Sequence, residues 1–357
     1  MEYLVLFFLT SYILYVTRKG NQTVGVCIAV LLASVLAGVR SPEIGSDTAG
    51  YPYELFALCK QSRNLEVLLT DSSYFFDIKE IGYVLLAYVT AKFTDSFNVF
   101  LFVNGLIVYG SMAYFLFYCK KKYYIQIWLP WFMFCFVMYN TTMALGKQPL
   151  AIAFCLLAYI NYEKGHRIKS VVAILLALSF HFTSIICLLY VLAKKYNNRF
   201  SRLSILVFFL LFVLGSNLSF LSSLFSQIPI LGRFSRYTVG DDGDLAVFEL
   251  LYKVFIFCGC FFLYRRKQIL VSKNEYESMC FFMLLEMILG SMSAVSAQAG
   301  RLGYYFLPLC FVYISYLLEN SKKKICYQRL FCLSLIAYWI IVIVIQGSTH
   351  SYPYKFI

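Results

Sequence analysis

The residues of this chain best able to do chemistry are a few cations, one histidine and a few acids at the edges of long apolar runs. Arg40, Asp47, Tyr51 and Tyr53 fall together in VRSPEIGSDTAGYPYELF (39–56), directly after an uncharged stretch that begins at Thr23. Lys147 stands in LGKQPL, Arg233 and Arg236 in LGRFSRY, and Arg301 in GRLGYY. A guanidinium offers a planar fork of donors suited to paired, charge-assisted bonds with a diphosphate. In a partly dry cavity the same contacts stabilise charge growing on a departing diphosphate. Tyr51 and Tyr53 bring flat faces and hydroxyls of the kind that hold sugars. His181, in FHFTSIICLL, is the one histidine inside an apolar segment; His166 and His350 lie in polar surroundings. As a base or hydrogen-bond donor it competes with Asp47, and the residues alone leave both open.

These groups must be positioned by elements that live in lipid. Of the 357 residues 61% are hydrophobic and only 14% charged, and mean hydropathy is +0.72. A soluble globule carries nearly twice that charge, so the class is an all-α polytopic membrane protein. The 35 Phe and 30 Tyr suit lipid contact and interface belts. The net charge of +13 does not indicate nucleic acid, because most Lys and Arg cluster between apolar runs: Arg18-Lys19, Lys120–Lys122, Lys164–Lys169, Lys194–Arg202, Arg265–Lys273 and Lys322–Arg329. That is the pattern of cytoplasmic loops. The 12 cysteines mostly lie in or beside apolar runs and form no CxxC pair, and the three histidines are far apart. No metal site and no cofactor is indicated, and no nucleotide-binding glycine loop is present. Met1–Thr17 has no basic n-region or cleavage pattern and reads as a retained first span.

A spanning helix needs about 20 mainly apolar residues. Candidate spans are 2–17, 23–39, 97–118, 123–140, 148–162, 203–221, 247–264, 277–297, 302–318 and 327–346. Placing every basic cluster inside makes each step alternate except at 170–193, which has basic clusters at both ends. The simplest repair is a short broken hairpin with its apex near His181, in the outer half of the membrane and facing a wet cavity. A misplaced span elsewhere is the competing explanation. The chain is then a single membrane domain of about 10–12 transmembrane helices with both termini outside. Its external segments are 40–96 and 222–246. Within the first, EIGYVLLAYVTAKF (80–93) puts Ile81, Val84, Leu85, Tyr88 and Val89 on one face, as in an amphipathic helix along the outer interface. The second pairs Arg233 and Arg236 with Asp241, Asp242 and Asp244. Arg40, Lys147, Arg233, Arg236 and Arg301 are thus positive where the orientation rule does not call for it. Snorkelling to headgroups is the bland alternative for each. Glu286, mid-span, reads as one half of a structural pair with Lys253.

The motifs resemble one family. Arg40…Gly45-Ser-Asp47…Tyr51…Phe56 is similar to the R…GxD…Y…F signature of the EpsG-like, Wzy-type polysaccharide polymerases. Glu80-Ile-Gly-Tyr83, LGKQPLAIAF (145–154), FHFTSIICLL (180–189), GRLGYYFLP (300–308) and the C-terminal YPYKF (352–356) follow in the family's order. Position 147 departs from it, carrying Lys where the family usually shows Arg. The resemblance implies a glycosyltransferase that joins undecaprenyl-diphosphate-linked oligosaccharide repeats at the outer face of the bacterial cytoplasmic membrane. With that reaction, the donor diphosphate is expected at Arg40 and Arg301 with Lys147 assisting, a second lipid's diphosphate or the glycan at Arg233 and Arg236, and the glycan at Tyr51, Tyr53 and Glu80. His181 or Asp47 becomes the catalytic base. Membrane lipids and a chain-length regulator protein are the further partners expected. A lipid-linked-oligosaccharide flippase, an O-antigen-ligase-like enzyme and a single-sugar transferase are the rival readings.

Overall fold

In a computed structural model, residues 1–72, 80–190, 243–294 and 300–357 are described. The chain is helical throughout these residues, without a strand; Arg40 and Phe356 form one isolated bridge and Ile269 and Ser321 another. The helices are α1 (Glu2–Val16), α2 (Gln22–Gly38), α3 (Tyr51–Gln61), α4 (Leu65–Ser72), α5 (Ile81–Phe93) and α6 (Phe97–Tyr123). There follow α7 (Trp128–Met133), a π-helical stretch (Phe134–Met138), α8 (Tyr139–Ala144), α9 (Gln148–Glu163) and α10 (Arg167–Phe180). After a 3-10 turn (Phe182–Cys187) come α11 (Gly243–Arg265), α12 (Lys273–Ser291), a 3-10 turn (Arg301–Tyr305), α13 (Leu307–Glu319), α14 (Lys324–Trp339) and a second π-helical stretch (Ile340–Ile345). Phe97–Tyr123 and Lys324–Ile345 are long and apolar enough to cross a membrane.

Most expected spans coincide with these helices to within a few residues. The span 203–221 and the loop residues 222–242, with Arg233 and Arg236, lie outside the described residues, as do residues 191–193 at the end of the 170–193 hairpin. The chain, read as one domain, groups into two compact units: 1–187 with 331–357, and 188–330.

The first unit is packed in a way that suits lipid. Along α2 the buried face is small, Gly25, Ala29, Ala33, Ala37 and Gly38, whereas Val24, Ile28, Leu31 and Val35 point outward. Without a hydrophobic drive between helices, close backbone approach supplies the attraction, and small residues permit it. A Cβ on Gly105 of α6 would stand 3.3 Å from Ser34 Cα, so α2 and α6 meet nearly backbone to backbone. α10 repeats the arrangement, with Ser170, Ala173 and Ala177 inward and Val171, Val172, Leu175 and Leu176 outward. Helix α9 is buried along almost its whole length and is the axis of the unit.

The two ends of this unit differ in chemistry. At one end, Lys120 of α6 bonds Gln22 at the head of α2, Lys122 pairs with Glu163 at the foot of α9, and Lys164 donates to Tyr114 at 3.1 Å. At the other, Asn98 at the head of α6 donates to Gly38 O and Arg40 O at 2.6 and 2.8 Å. The basic turns therefore gather at one end and the polar motifs at the other.

Helix α5 forms where expected, and it packs on the protein through a face other than the apolar one read as lying along the interface. Its packed side is Tyr83, Val84, Ala87 and Thr90, while Leu85 and Val89 are exposed. Of the apolar face read from the sequence, Val84 alone is buried. The residues between were hard to read because Tyr83 and Thr90 carry polar atoms yet turn inward, Thr90 bonding its own Leu86 O at 2.8 Å.

In the second unit, Ser272 and Glu275 form a reciprocal cap that starts α12. Lys253 of α11 donates to Glu286 of α12 at 2.6 Å, with Glu286 3% exposed, so the structural pair read from the sequence is present. Gly303 lies where a Cβ would come within 2.9 Å of Gly290 N, which lets the 301–305 turn seat against α12. Breaking a buried pair on one side strands the other charge, whereas replacing both partners does not. Glu286→Leu is expected to cost about 3–5 kcal/mol. The double variant Lys253→Met/Glu286→Leu should recover most of that loss, as read by thermal unfolding in detergent. A double variant no more stable than the single one would show that the pair is more than mutual neutralisation.

Candidate functional site

At the polar end of the first unit, four separate elements converge. The loop after α2 carries Asp47, the first turn of α3 carries Tyr51, the residue before α5 is Glu80, and the residue before α9 is Lys147. His181 follows α10 directly. Its backbone is extended (φ −158°, ψ 121°), which ends the helix although its N–H still reaches Ala177 O at 3.0 Å. The break expected at the apex of the 170–193 segment is therefore at the histidine itself.

The side chains form a chain of contacts. His181 Nδ1 lies 3.1 Å from Glu80 Oε1, and Lys147 Nζ pairs with the other carboxylate oxygen, Oε2. The Lys147 ammonium also stands over the Tyr51 ring, 4.8 Å from its centre. The Tyr51 hydroxyl donates to Asp47 Oδ2 at 3.4 Å. Five residues singled out from the sequence are thus brought into one cluster. Burial raises the Glu80 carboxyl, but the hydrogen bonds from His181 and Lys147 outweigh it and leave the group below its usual value. A lowered carboxyl stabilises the fold above the ordinary glutamate range, about 4.3, and loses that contribution as pH falls through its folded value.

Two further residues were expected to meet glycan. Glu80 has one oxygen beside His181 and the other paired with Lys147. Tyr53 points away from the cluster, half exposed, with its ring edge-on to Phe97 at 5.2 Å.

Arg40 was expected at the exposed rim, and it is instead only 5% exposed. Its guanidinium donates to Met143 O at 2.9 Å and to Thr48 Oγ1 at 3.3 Å. It has no ion pair among the described residues, and its Nε has no hydrogen-bond partner. Beside it is a cavity of about 30 Å³, lined in part by Tyr83, Asn104, Tyr109 and Thr142, which is room for a water or two and not for a diphosphate. Arg301 opens the 3-10 turn of the second unit, where its charge and those of Glu249, Lys253 and Glu286 act on the buried Tyr304 hydroxyl.

The turn that presents Asp47 is held from two sides. Gly45 has φ +97°, and a Cβ there would fall 2.7 Å from Met143 O, so the bend needs glycine twice over. Asp47 N bonds Ala144 O at 3.0 Å, which sets the turn against the end of α8 and hence against Lys147. From the other side comes the C-terminal tail: Ser41 N bonds Lys355 O, and Gly45 N bonds His350 O. Tyr354 donates to Leu36 O at 2.5 Å, and Lys355 pairs with Glu43 at 2.8 Å. The tail is anchored in turn by Tyr3, whose hydroxyl donates to Ser351 O at 2.7 Å, and by Asn140, which donates to Ser351 Oγ at 2.9 Å. Trp339 closes the network on Asn140 Oδ1. Sequence reasoning noted YPYKF as a motif without giving it a role and passed over Asn140. A lone Asn inside an apolar span was the available signal.

Residues 23–356 match the EpsG family, whose members are Wzy-like polysaccharide polymerases. The chain belongs to the EpsG family. No curated protein and no solved structure matches it. EpsG membership and the apolar helices together make this a helical membrane protein of polysaccharide biosynthesis.

If the tail is what holds the Asp47 turn, removing residues 348–357 should release it. Trypsin cleavage after Arg40, blocked by burial in the intact chain, should then appear in the solubilised truncated protein. Tyr354→Ala, which loses one anchor, should act in the same direction more weakly. Unchanged resistance in both would mean that the turn holds itself.

Proposed function

We propose that the chain is a membrane glycosyltransferase that polymerises undecaprenyl-diphosphate-linked oligosaccharide repeat units at the outer face of the bacterial cytoplasmic membrane. The observation that carries this reading is the convergence of Asp47, Tyr51, Glu80, Lys147 and His181 at the end of the first unit opposite its basic turns. Basic turns favour the cytoplasmic side, which supports an external position for the cluster, for Tyr3 and for the C-terminal tail bonded to it. On this reading the chain crosses the membrane repeatedly and both termini are external.

In the reaction, the bond between the anomeric carbon of the growing glycan and the diphosphate breaks. A hydroxyl of the next lipid-linked unit forms the new carbon–oxygen bond, its proton passes to a protein base, and the lipid diphosphate leaves as an anion. Lys147 is the cation in the cluster placed to meet that anion. Arg301 keeps the donor-diphosphate role expected of it, and Arg233 and Arg236 theirs toward a second lipid's diphosphate. Tyr51 and Asp47 face the sugar, one with a ring and the other with a carboxylate. The step needs no metal, and a chain-length regulator is a partner that a polymerase of this kind calls for.

Purified protein in detergent, given lipid-linked repeat units, should produce a ladder of lengths. One added unit would indicate a ligase or single-sugar transferase, and unchanged substrate a flippase, which does no chemistry. Lys147→Met should slow the ladder by about 10²–10³-fold, the loss typical of a stabilising group aimed at developing negative charge. Retention of full polymerisation would remove Lys147 from the diphosphate site.

A further inference from the structure

Glu80 is the node of the cluster, because its two oxygens are divided between an imidazole and an ammonium. Oε1 lies 3.1 Å from His181 Nδ1 while Oε2 pairs with Lys147 Nζ, and the Glu80 side chain is 13% exposed against 26% for His181. An imidazole that gives its Nδ1–H to a carboxylate carries its lone pair on Nε2. His181 Nε2 makes no hydrogen bond among the described residues and belongs to the more exposed partner. Asp47 is placed differently. Its oxygens accept from Ser46 Oγ and from the Tyr51 hydroxyl, so it gathers hydroxyls, and it pairs with no cation among the described residues. Carboxylates are also intrinsically weaker bases than imidazoles, by about two pH units.

We propose that Glu80 is the positioning residue that makes His181, and not Asp47, the base for the acceptor hydroxyl, with Lys147 moderating its strength from the other carboxylate oxygen. The inference rests on the transferase reading above and deepens it. His181 Nε2 takes the proton of the acceptor hydroxyl as that oxygen bonds the anomeric carbon and the diphosphate departs. The imidazolium then returns the proton to water. Glu80 holds the ring in the productive tautomer and stabilises the imidazolium, as second partners of reactive histidines commonly do. Because Lys147 shares Glu80, an anionic donor that draws the ammonium toward itself leaves more of the carboxylate charge to His181. Donor binding and base strength are thereby coupled through one side chain.

Among the described residues, the titratable groups around His181 are few. Glu80 comes from the head of α5 and Lys147 from the head of α9. Tyr51 of α3 and Asp47 of the preceding loop lie beyond Lys147. Within α10 itself, the charged residues Arg167 and Lys169 are at the opposite end. Any strong influence on the imidazole therefore runs through Glu80 and Lys147, with opposite signs.

The test measures His181 directly and then the reaction. In detergent-solubilised protein without substrate, pH-dependent modification by diethylpyrocarbonate, mapped by mass spectrometry, gives the titration midpoint of each of the three histidines. Glu80→Gln should move the His181 midpoint down and Lys147→Met should move it up, each by about half a pH unit or more, while His166 stays put. In the polymerisation assay, His181→Gln should lower kcat by about 10²–10⁴-fold with KM changed little. Glu80→Gln should lower kcat less and shift the acid limb of the pH profile to lower pH, with Glu80→Asp recovering part of the rate. Asp47→Asn should raise KM and leave the limb in place. A His181 midpoint unmoved by Glu80→Gln, or an acid limb that persists in His181→Gln, would overturn the proposal. If the wild-type protein transfers no glycan, the transferase reading falls while the titration still decides the pairing.

Discussion

A guanidinium buried at the end of an apolar helix, with no carboxylate paired to it among the described residues, is the constraint around which the first unit is arranged. Such a charge persists only if fixed dipoles replace the water it has lost. Arg40 finds them in Met143 O and Thr48 Oγ1, and Thr48 also bonds Met143 O at 3.2 Å. These bonds join the end of α2 to the end of α8. They leave Asp47 and Tyr51 facing Lys147, because the same turn carries the first two and the last follows α8 by a few residues. The tail strengthens the arrangement through its bridge from Phe356 to Arg40. The most costly group in the unit thus fixes the register of the cluster without belonging to it.

Lipid imposes the rest of the architecture. With large apolar side chains already satisfied by acyl chains, the helices meet through glycine, alanine and serine, and α2 and α10 both show it. Close, rigid helix pairs bring the heads of α5, α6 and α9 to one level, where short polar turns carry the chemistry. The second unit solves its own polar problem by pairing, Lys253 with Glu286, and uses Gly303 and Gly290 to seat the turn that begins at Arg301.

How far this was legible in the sequence depends on the range of the interaction. Apolar runs and their flanking charges are local, so most described helices lie within a few residues of the apolar runs read from the sequence. The break at His181 was legible because charge parity failed at 170–193, a conflict that a continuous helix could not resolve. Pairings across the fold were not legible. Nothing in the pattern around Glu80 says that a lysine 67 residues on and a histidine 101 residues on will take its two oxygens. It was therefore read as free to meet a sugar. Arg40 was read as a cation at the outer end of a span because it follows one. What buries it is a backbone carbonyl of another helix end and a tail more than 300 residues away, and neither leaves a mark at position 40.

The Lys at 147 gains a meaning from this arrangement. The family usually carries an arginine there, and the substitution at first suggests a weakened phosphate clamp. An arginine in the same place would present its fork to both Glu80 oxygens at once, since guanidinium–carboxylate pairs favour two parallel bonds. His181 would then share an oxygen already bonded to the guanidinium. A lysine is a point charge and takes one oxygen, leaving the other for Nδ1. In this chain the loss of a bidentate contact to phosphate is therefore matched by a carboxylate that can serve two partners, and the residue at 147 decides how firmly the histidine is held.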